Sequence, residues 1–126
     1  MQRQLPSRIK LRKASRTLEL AYADGLEVSL PAEFLRVHSP SAEVRGHGRP
    51  VLQVGKQHVA LTGVEPAGNY ALKLIFDDGH DSGLYTWDYL RELAEQQETL
   101  WQAYLEQLRA AGASRDPDVS VVRLMP

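Results

Sequence analysis

The same alternation of apolar and polar residues occurs twice along this chain. Leu18, Leu20 and Tyr22 alternate with Glu19 and Ala21 up to Asp24-Gly25; Leu26, Val28 and Leu30 then alternate with Glu27 and Ser29. A period of two on either side of Asp-Gly predicts a β-hairpin, because the tight turn needs positive φ and glycine adopts it without a Cβ clash. Tyr70, Leu72, Leu74 and Phe76 repeat the pattern up to Asp78-Gly79, and Ser82 to Tyr85 form a short return strand. Ala71 and Ile75 on the opposite face predict burial on both sides and a central place in the sheet. Ile9 and Leu11 alternate with Lys10 and Arg12 as a strand with one wet face, and Val51–Val54 and Val59–Val64 read as further strands. Ser39 to Pro50, with two glycines and two prolines, reads as a loop.

Helical spacing follows each hairpin. Pro31 suits the first position of a helix carrying Phe34, Leu35 and His38. Later, Thr86 is a good N-cap, Asp88 suits the positive helix end, and Tyr85 with Leu90 could staple the start. Leu90, Leu93, Gln97, Leu100, Trp101, Tyr104, Leu105 and Leu108 then share one stripe, and Gly112 ends it.

A single helix from Trp87 to Ala111 would run roughly 37 Å at ~1.5 Å per residue. A domain of this size is only about 30 Å across. The last turns would then overhang, and Leu100, Trp101, Tyr104, Leu105 and Leu108 would form an interface for a protein partner or a second copy. In the other reading the sheet, or the apolar run within 119–124, folds over them and they are core. The boundaries implied are a domain over residues 1–112 and a tail over 113–126, the latter an edge strand or a loose end.

The two hairpins also match residue by residue, as Leu-x-Leu-x-aromatic-x-Asp-Gly, with Phe34-Leu35-Arg36 and Tyr89-Leu90-Arg91 at the helix starts. The offset is 54 residues before the turn and 55 after it. Either a ββα duplication or the shared needs of strand–turn–strand–helix units explains this. The fold class is α+β in both cases: an antiparallel sheet with a short and a long helix.

Composition narrows the chemistry. The 126 residues suffice for one core, and 43% hydrophobic with 25% charged residues is ordinary for a globular protein. With no cysteine, disulfides, thiolate metal sites, iron–sulfur ligation and cysteine nucleophiles are excluded. No apolar run approaches the ~20 residues of a membrane span, and Met1 to Arg16 lack the apolar stretch of a secretory signal, so a cytoplasmic location is expected. Net charge is -1, yet six bases and no acid fall in the first 16 residues. A basic arm can mark nucleic-acid binding, but it holds no aromatic to stack a base, and a solvated strand face is the plainer expectation.

The four histidines form no H-x-x-x-H pair, and Pro40, Arg49, Ala60 and Ser82 occupy the second position after each, so the His-x-Asp/Glu start of an iron triad is absent. Neither a Gly-x-Ser-x-Gly elbow nor a phosphate-binding loop occurs, and Gly46-His47-Gly48 reads as an ordinary turn. Asp77, Asp78, His80 and Asp81 read as a solvated turn before a cation site.

The run Leu35-Arg36-Val37-His38-Ser39-Pro40-Ser41-Ala42-Glu43-Val44, with Gly68-Asn69-Tyr70, Phe76-Asp77-Asp78-Gly79-His80, Gly83-Leu84-Tyr85 and Tyr89-Leu90-Arg91, resembles the N-terminal domain of gamma-butyrobetaine hydroxylases. It is still more similar to the uncharacterised stand-alone bacterial proteins named after that domain (domain of unknown function 971), over about Ile9 to Ala111. The resemblance implies a structural zinc held by Cys-x-Cys-x-x-Cys and the His of Asp-Gly-His. Ser39, Ser41, Val44 and His80 occupy those positions, so the zinc site is degenerate and only the histidine remains. A substitute cage would need His38, Glu43, His47 and His80; the alternative is a metal-free loop closed by hydrogen bonds from Ser39, Ser41 and His80.

The hydroxylases carry iron and 2-oxoglutarate in a separate C-terminal domain, and relatives of this domain are fused to iron–sulfur carrier ATPases. The resemblance therefore implies an accessory or protein-interaction module without an enzyme's constellation. No cofactor is expected, and the partner is an unidentified protein or a second copy, with neither membrane nor nucleic acid. The alternative is a zinc- or iron-binding module linked to oxygenase or iron–sulfur systems.

Overall fold

The computed structural model describes residues 5–41 and 51–118. Two three-stranded antiparallel sheets are built in the same order and followed by helices. The first comprises β1 (Arg8–Arg12), β2 (Thr17–Ala21) and β3 (Glu27–Pro31) and leads into α1 (Ala32–Val37). The second comprises β4 (Leu61–Ala67), β5 (Ala71–Phe76) and β6 (Leu84–Thr86) and leads into α2 (Trp87–Glu95) and α3 (Gln97–Ala111). The α+β class holds, and the sequence repeat extends to a βββα unit in each half. β5 is central as expected, with Leu72, Leu74 and Phe76 buried on one face. The expectation of burial on both sides holds only in part, because on the other face Ala71 is buried and Lys73 and Ile75 are half-buried. Pro66 lies in β4, which among the described residues pairs only with β5, and an edge strand tolerates the missing N–H.

The two hairpins close identically. Tyr22 N donates to Leu26 O at 2.9 Å and Gly25 N to Tyr22 O at 3.0 Å; Phe76 N donates to His80 O at 3.0 Å and Gly79 N to Phe76 O at 3.4 Å. Asp24 Oδ1 accepts from Leu26 N, and Asp78 Oδ1 from His80 N. Gly25 and Gly79 take φ of 97° and 88°, the positive values expected of these turns.

Each helix then reaches across to the other half. Arg91 of α2 grips Asp24 with two bonds, Nη2–Oδ2 at 2.7 Å and Nη1–Oδ1 at 3.2 Å, and lies over the Tyr22 ring. Arg36 of α1, at the matching position, places Nε 2.9 Å from Asp78 Oδ2. One core joins the halves: Leu18, Leu20 and Leu30 meet Leu72, Leu74, Tyr85 and Leu90, with Phe34 and Leu35 of α1 among them. All six residues of α1 are buried, so its two charged side chains, Glu33 and Arg36, both need partners.

Three expectations are corrected. Pro31 is the N-cap of α1 and the last residue of β3, one position before the helix. Val51–Val54 is no strand, and the strand expected at Val59–Val64 begins at Leu61 and runs to Ala67. Near the first of these, the backbone pairs with the C-terminal segment instead of a sheet: Gly55 N donates to Ser114 O and Gln57 N to Arg115 O, both at 2.9 Å. The long helix is two, broken at Gln96 with φ −103° and ψ 12°. No glycine or proline marks that break. Its effect is that the stripe stays on the body of the protein instead of overhanging. Thr86 does cap α2, accepting from Tyr89 N, and Gly112 ends α3 in the left-handed conformation.

A Cβ at Gly25 or Gly79 would meet nothing within 4 Å, so substitution there is opposed by backbone conformation alone. Gly79→Val should cost about 1–2 kcal/mol, the penalty of a left-handed branched residue. Gly25→Val should match it closely because the turns match. Thermal melts of the two variants measure this, and an unchanged melting temperature for either would contradict the turn geometry.

Candidate functional site: a buried serine–histidine clasp and the groove beside it

The end of α1 and the second hairpin turn meet at one buried point. Past Val37 the chain leaves the helix, with His38 N bonded to Phe34 O and Ser39 N to Arg36 O, which turns Ser39 inward. Ser39 Oγ lies 2.8 Å from His80 Nε2, Ser41 Oγ lies 3.3 Å from the same nitrogen, and Ser41 N donates to Ser39 Oγ. The three residues are 1%, 6% and 4% exposed. Gly83 lines the point closely enough that a Cβ would run into Ser39 Oγ, so glycine is required there by close approach. Tyr85 closes the far side, its hydroxyl donating to Leu35 O at 2.5 Å, and burial pushes the phenol pKa up against the opposing effect of its bond with Ser39.

The ion pair beside the clasp holds the turn in place. Asp78 receives Arg36 on Oδ2 at 2.9 Å and Lys56 on the same oxygen at 2.8 Å, while its Oδ1 accepts from His80 N. Burial alone would raise the Asp78 pKa, but Lys56, Arg36 and the His80 N–H together hold it down at about 2. Arg36 also donates to Gln53 Oε1, tying the 51–57 segment to α1.

Of the residues the sequence singled out, Ser39, Ser41 and His80 come together, while Val44, Glu43 and His47 lie outside the described residues. His38 stands elsewhere, with Nδ1 2.9 Å from Phe34 O and its ring against Phe34 and Tyr104; burial lowers its pKa despite the bond to Phe34. Among the described residues no three His, Asp or Glu side chains cluster as a metal would need. Asp77, one of the turn's acids, accepts from Ala60 N, and Asp78 is spent on Arg36 and Lys56.

The donors at the clasp do not fit the zinc that the resemblance implies. Zinc takes thiolate, imidazole or carboxylate, and a serine hydroxyl does not ionise near neutral pH. His80 Nε2 is also engaged in either tautomer, accepting a hydroxyl proton or donating its own. A hydroxyl on an imidazole is the first element of a nucleophilic pair, but Ser39 and His80 are sealed from any substrate.

The α3 stripe is largely used within the chain. Tyr104 and Leu108 are buried with Val37 in a second cluster, against which Trp101 and Leu105 pack, and Leu100 and Trp101 rest on the main core. The expectation of an open interface at Tyr104 and Leu108 is therefore corrected: each is 4% exposed. The cause lies partly in residues 113–118. Arg115 makes two 2.7 Å bonds to buried Glu33 and stacks 5.1 Å from the Trp101 ring. Beside the stripe runs a groove of about 620 Å³, floored by Val37, Leu52, Ala103, Tyr104, Ala110 and Ala111. Sequence reasoning missed Arg36, Asp78, Glu33 and Arg115 as pairs. The repeated Leu-Arg and Asp-Gly words signalled the first two, whereas nothing local links Glu33 to a residue 82 positions away.

Residues 9–91 match the family described as gamma-butyrobetaine hydroxylase-like, N-terminal. The chain belongs to that family. Three solved structures are similar over most of the chain. Two are NMR solution structures of proteins: one is 66% identical over 99% of this chain and 100% of its own, with a TM-score of 0.85. The other is 48% identical over 98% and 94%, with a TM-score of 0.77. The third is the crystal structure of a protein of unknown function from Acidithiobacillus ferrooxidans ATCC 23270, of the domain-of-unknown-function 971 family. It is 40% identical over 71% of this chain and 91% of its own, with a TM-score of 0.60. No functionally curated protein matches. The family is thus shown, and it is an uncharacterised one.

Asp78 makes stability depend on acid. A depressed carboxylate pKa adds stability above the unfolded value of 3.8, and that contribution is lost as pH falls through about 2. The shift is worth about 2 kcal/mol at ~1.36 kcal/mol per pKa unit. Asp78→Asn should lower stability by about that amount at pH 7. It should also flatten the dependence between about pH 4 and 2, measured by urea unfolding across pH. A variant with the same acid slope as the parent would contradict the assignment.

Proposed function

We propose that this protein is a non-catalytic accessory module that docks on a protein partner along the groove between α3 and the 51–53 segment. The observation that carries this reading is the contrast between two surfaces. Ser39, Ser41 and His80 are sealed inside the clasp, and Asp78 is committed to Arg36 and Lys56. The groove, by contrast, is open and floored by apolar and small side chains, with Val51 standing 52% exposed at its edge. Alanines at 103, 110 and 111 leave room for a partner's side chains, and Gln53 and Gln107 supply a polar rim.

A protein partner is favoured over nucleic acid by the state of the basic arm. Arg12 is taken by Glu19 at 2.5 Å, Arg8 lies 3.9 Å from Glu27, and Lys10 stands opposite Glu19 in register. No described helix is long and apolar enough to cross a membrane, and we place the module in the cytoplasm as part of the same reading. The metal-binding alternative has only the convergence of Ser39, Ser41 and His80 behind it, with donors that suit a metal poorly.

The test is Val51→Asp, a solvent-facing change at the groove's edge, so that folding is retained. Quantitative affinity capture from the native host should lose its enriched partner by at least about tenfold, the loss of ~1.4 kcal/mol, while the melting temperature holds. Equal capture by a folded variant would contradict the groove as the docking face. If self-association is what falls, the partner is a second copy.

A further inference from the structure

We propose that the Ser39–His80–Ser41 clasp is a metal-free replacement for the zinc site that the family resemblance implies, and that it remains a latent transition-metal site, two oxygen-to-sulfur changes away from binding zinc or cobalt. Three features carry this. Both hydroxyls lie against a single nitrogen, at 2.8 and 3.3 Å, from positions two apart on one loop, so both oxygens are already gathered within hydrogen-bond reach of one ring nitrogen, His80 Nε2. The point is fully enclosed, with Gly83 leaving no room for a side chain next to Ser39. Finally, the cluster already does what a structural metal would do. It fastens the loop after α1 to the turn after β5 through side chains 41 and 39 residues apart in sequence.

A hydroxyl keeps its proton and leaves Nε2 hydrogen-bonded. A thiol in the same place gives up its proton to solvent when zinc binds, and the imidazole then turns its lone pair to the metal. Nothing else in the site has to change sign of charge. Water would complete the coordination.

The decisive comparison sets the unaltered protein beside Ser39→Cys with Ser41→Cys, both purified under reducing conditions. The unaltered protein, produced with added zinc, should hold only substoichiometric metal and keep its melting temperature in chelator. The double variant should take up one cobalt per chain, with the thiolate-to-cobalt charge-transfer band and the visible bands of a four-coordinate ion. Adding His80→Ala should weaken that binding by at least about tenfold, as expected on losing one of few ligands. Near one metal per unaltered chain, lost on His80→Ala, would overturn the proposal, and so would a folded double variant without a thiolate–cobalt band. Should the double variant fail to fold, the 15N shifts of the His80 ring in the unaltered protein decide the matter. Shifts indifferent to added zinc and to chelator support the clasp; a metal-dependent move overturns it.

Discussion

Two arginines at matching positions of α1 and α2 each hold the hairpin turn of the opposite half, Arg36 on Asp78 and Arg91 on Asp24. The exchange sets the relation between the two βββα units, and it does so unequally. Arg91–Asp24 lies at the surface, with Asp24 44% exposed, where a charge pair contributes little. Arg36 is 8% exposed, and an arginine taken from water without its carboxylate would be strongly destabilising. Much of the structure follows from that buried pair. It brings the second turn to the end of α1, and His80, whose N–H is bonded to Asp78, is carried onto Ser39 and Ser41. Lys56 joins the same carboxylate and anchors the 51–57 segment, which in turn receives the backbone of Ser114 and Arg115.

What distinguishes this chain lies where the repeat is broken. Leu26 and His80 occupy the same place in two turns with the same hydrogen bonds, but only the second carries a polar ring, and only there do two hydroxyls meet it. Among the described residues, the helix α3 has no counterpart in the first half. With the 51–53 segment it creates the groove, and Arg115 closes the adjoining stripe through Glu33 and Trp101. The buried polar site and the apolar groove have different tasks: one fastens loops together inside the fold, the other presents a surface.

The hairpins were legible in the sequence because alternation and Asp-Gly turns are local signals, and the N-cap at Thr86 and the stop at Gly112 were legible for the same reason. The convergence of Ser39, Ser41 and His80 followed from the family resemblance, not from spacing. The break at Gln96 left no trace, since glutamine is a good helix former and the bend serves tertiary contacts of Leu100 and Trp101. Valines at 51 and 54 read as a strand by propensity, yet their segment pairs with residues 114 and 115, a partner no local pattern names. The stripe on α3 showed its apolarity but not its cover, because the cover is a salt bridge between α1 and the C-terminal segment.

The dependence of the fold on the buried exchange is tested most directly by a double-mutant cycle on Arg36→Gln and Asp78→Asn, followed by equilibrium unfolding. Each single change should be markedly destabilising and the pair clearly less so than their sum, giving a coupling of about 1–2 kcal/mol. The same cycle on Arg91 and Asp24 should give a smaller value. Additivity at Arg36 and Asp78, within about 0.3–0.5 kcal/mol, would contradict the account.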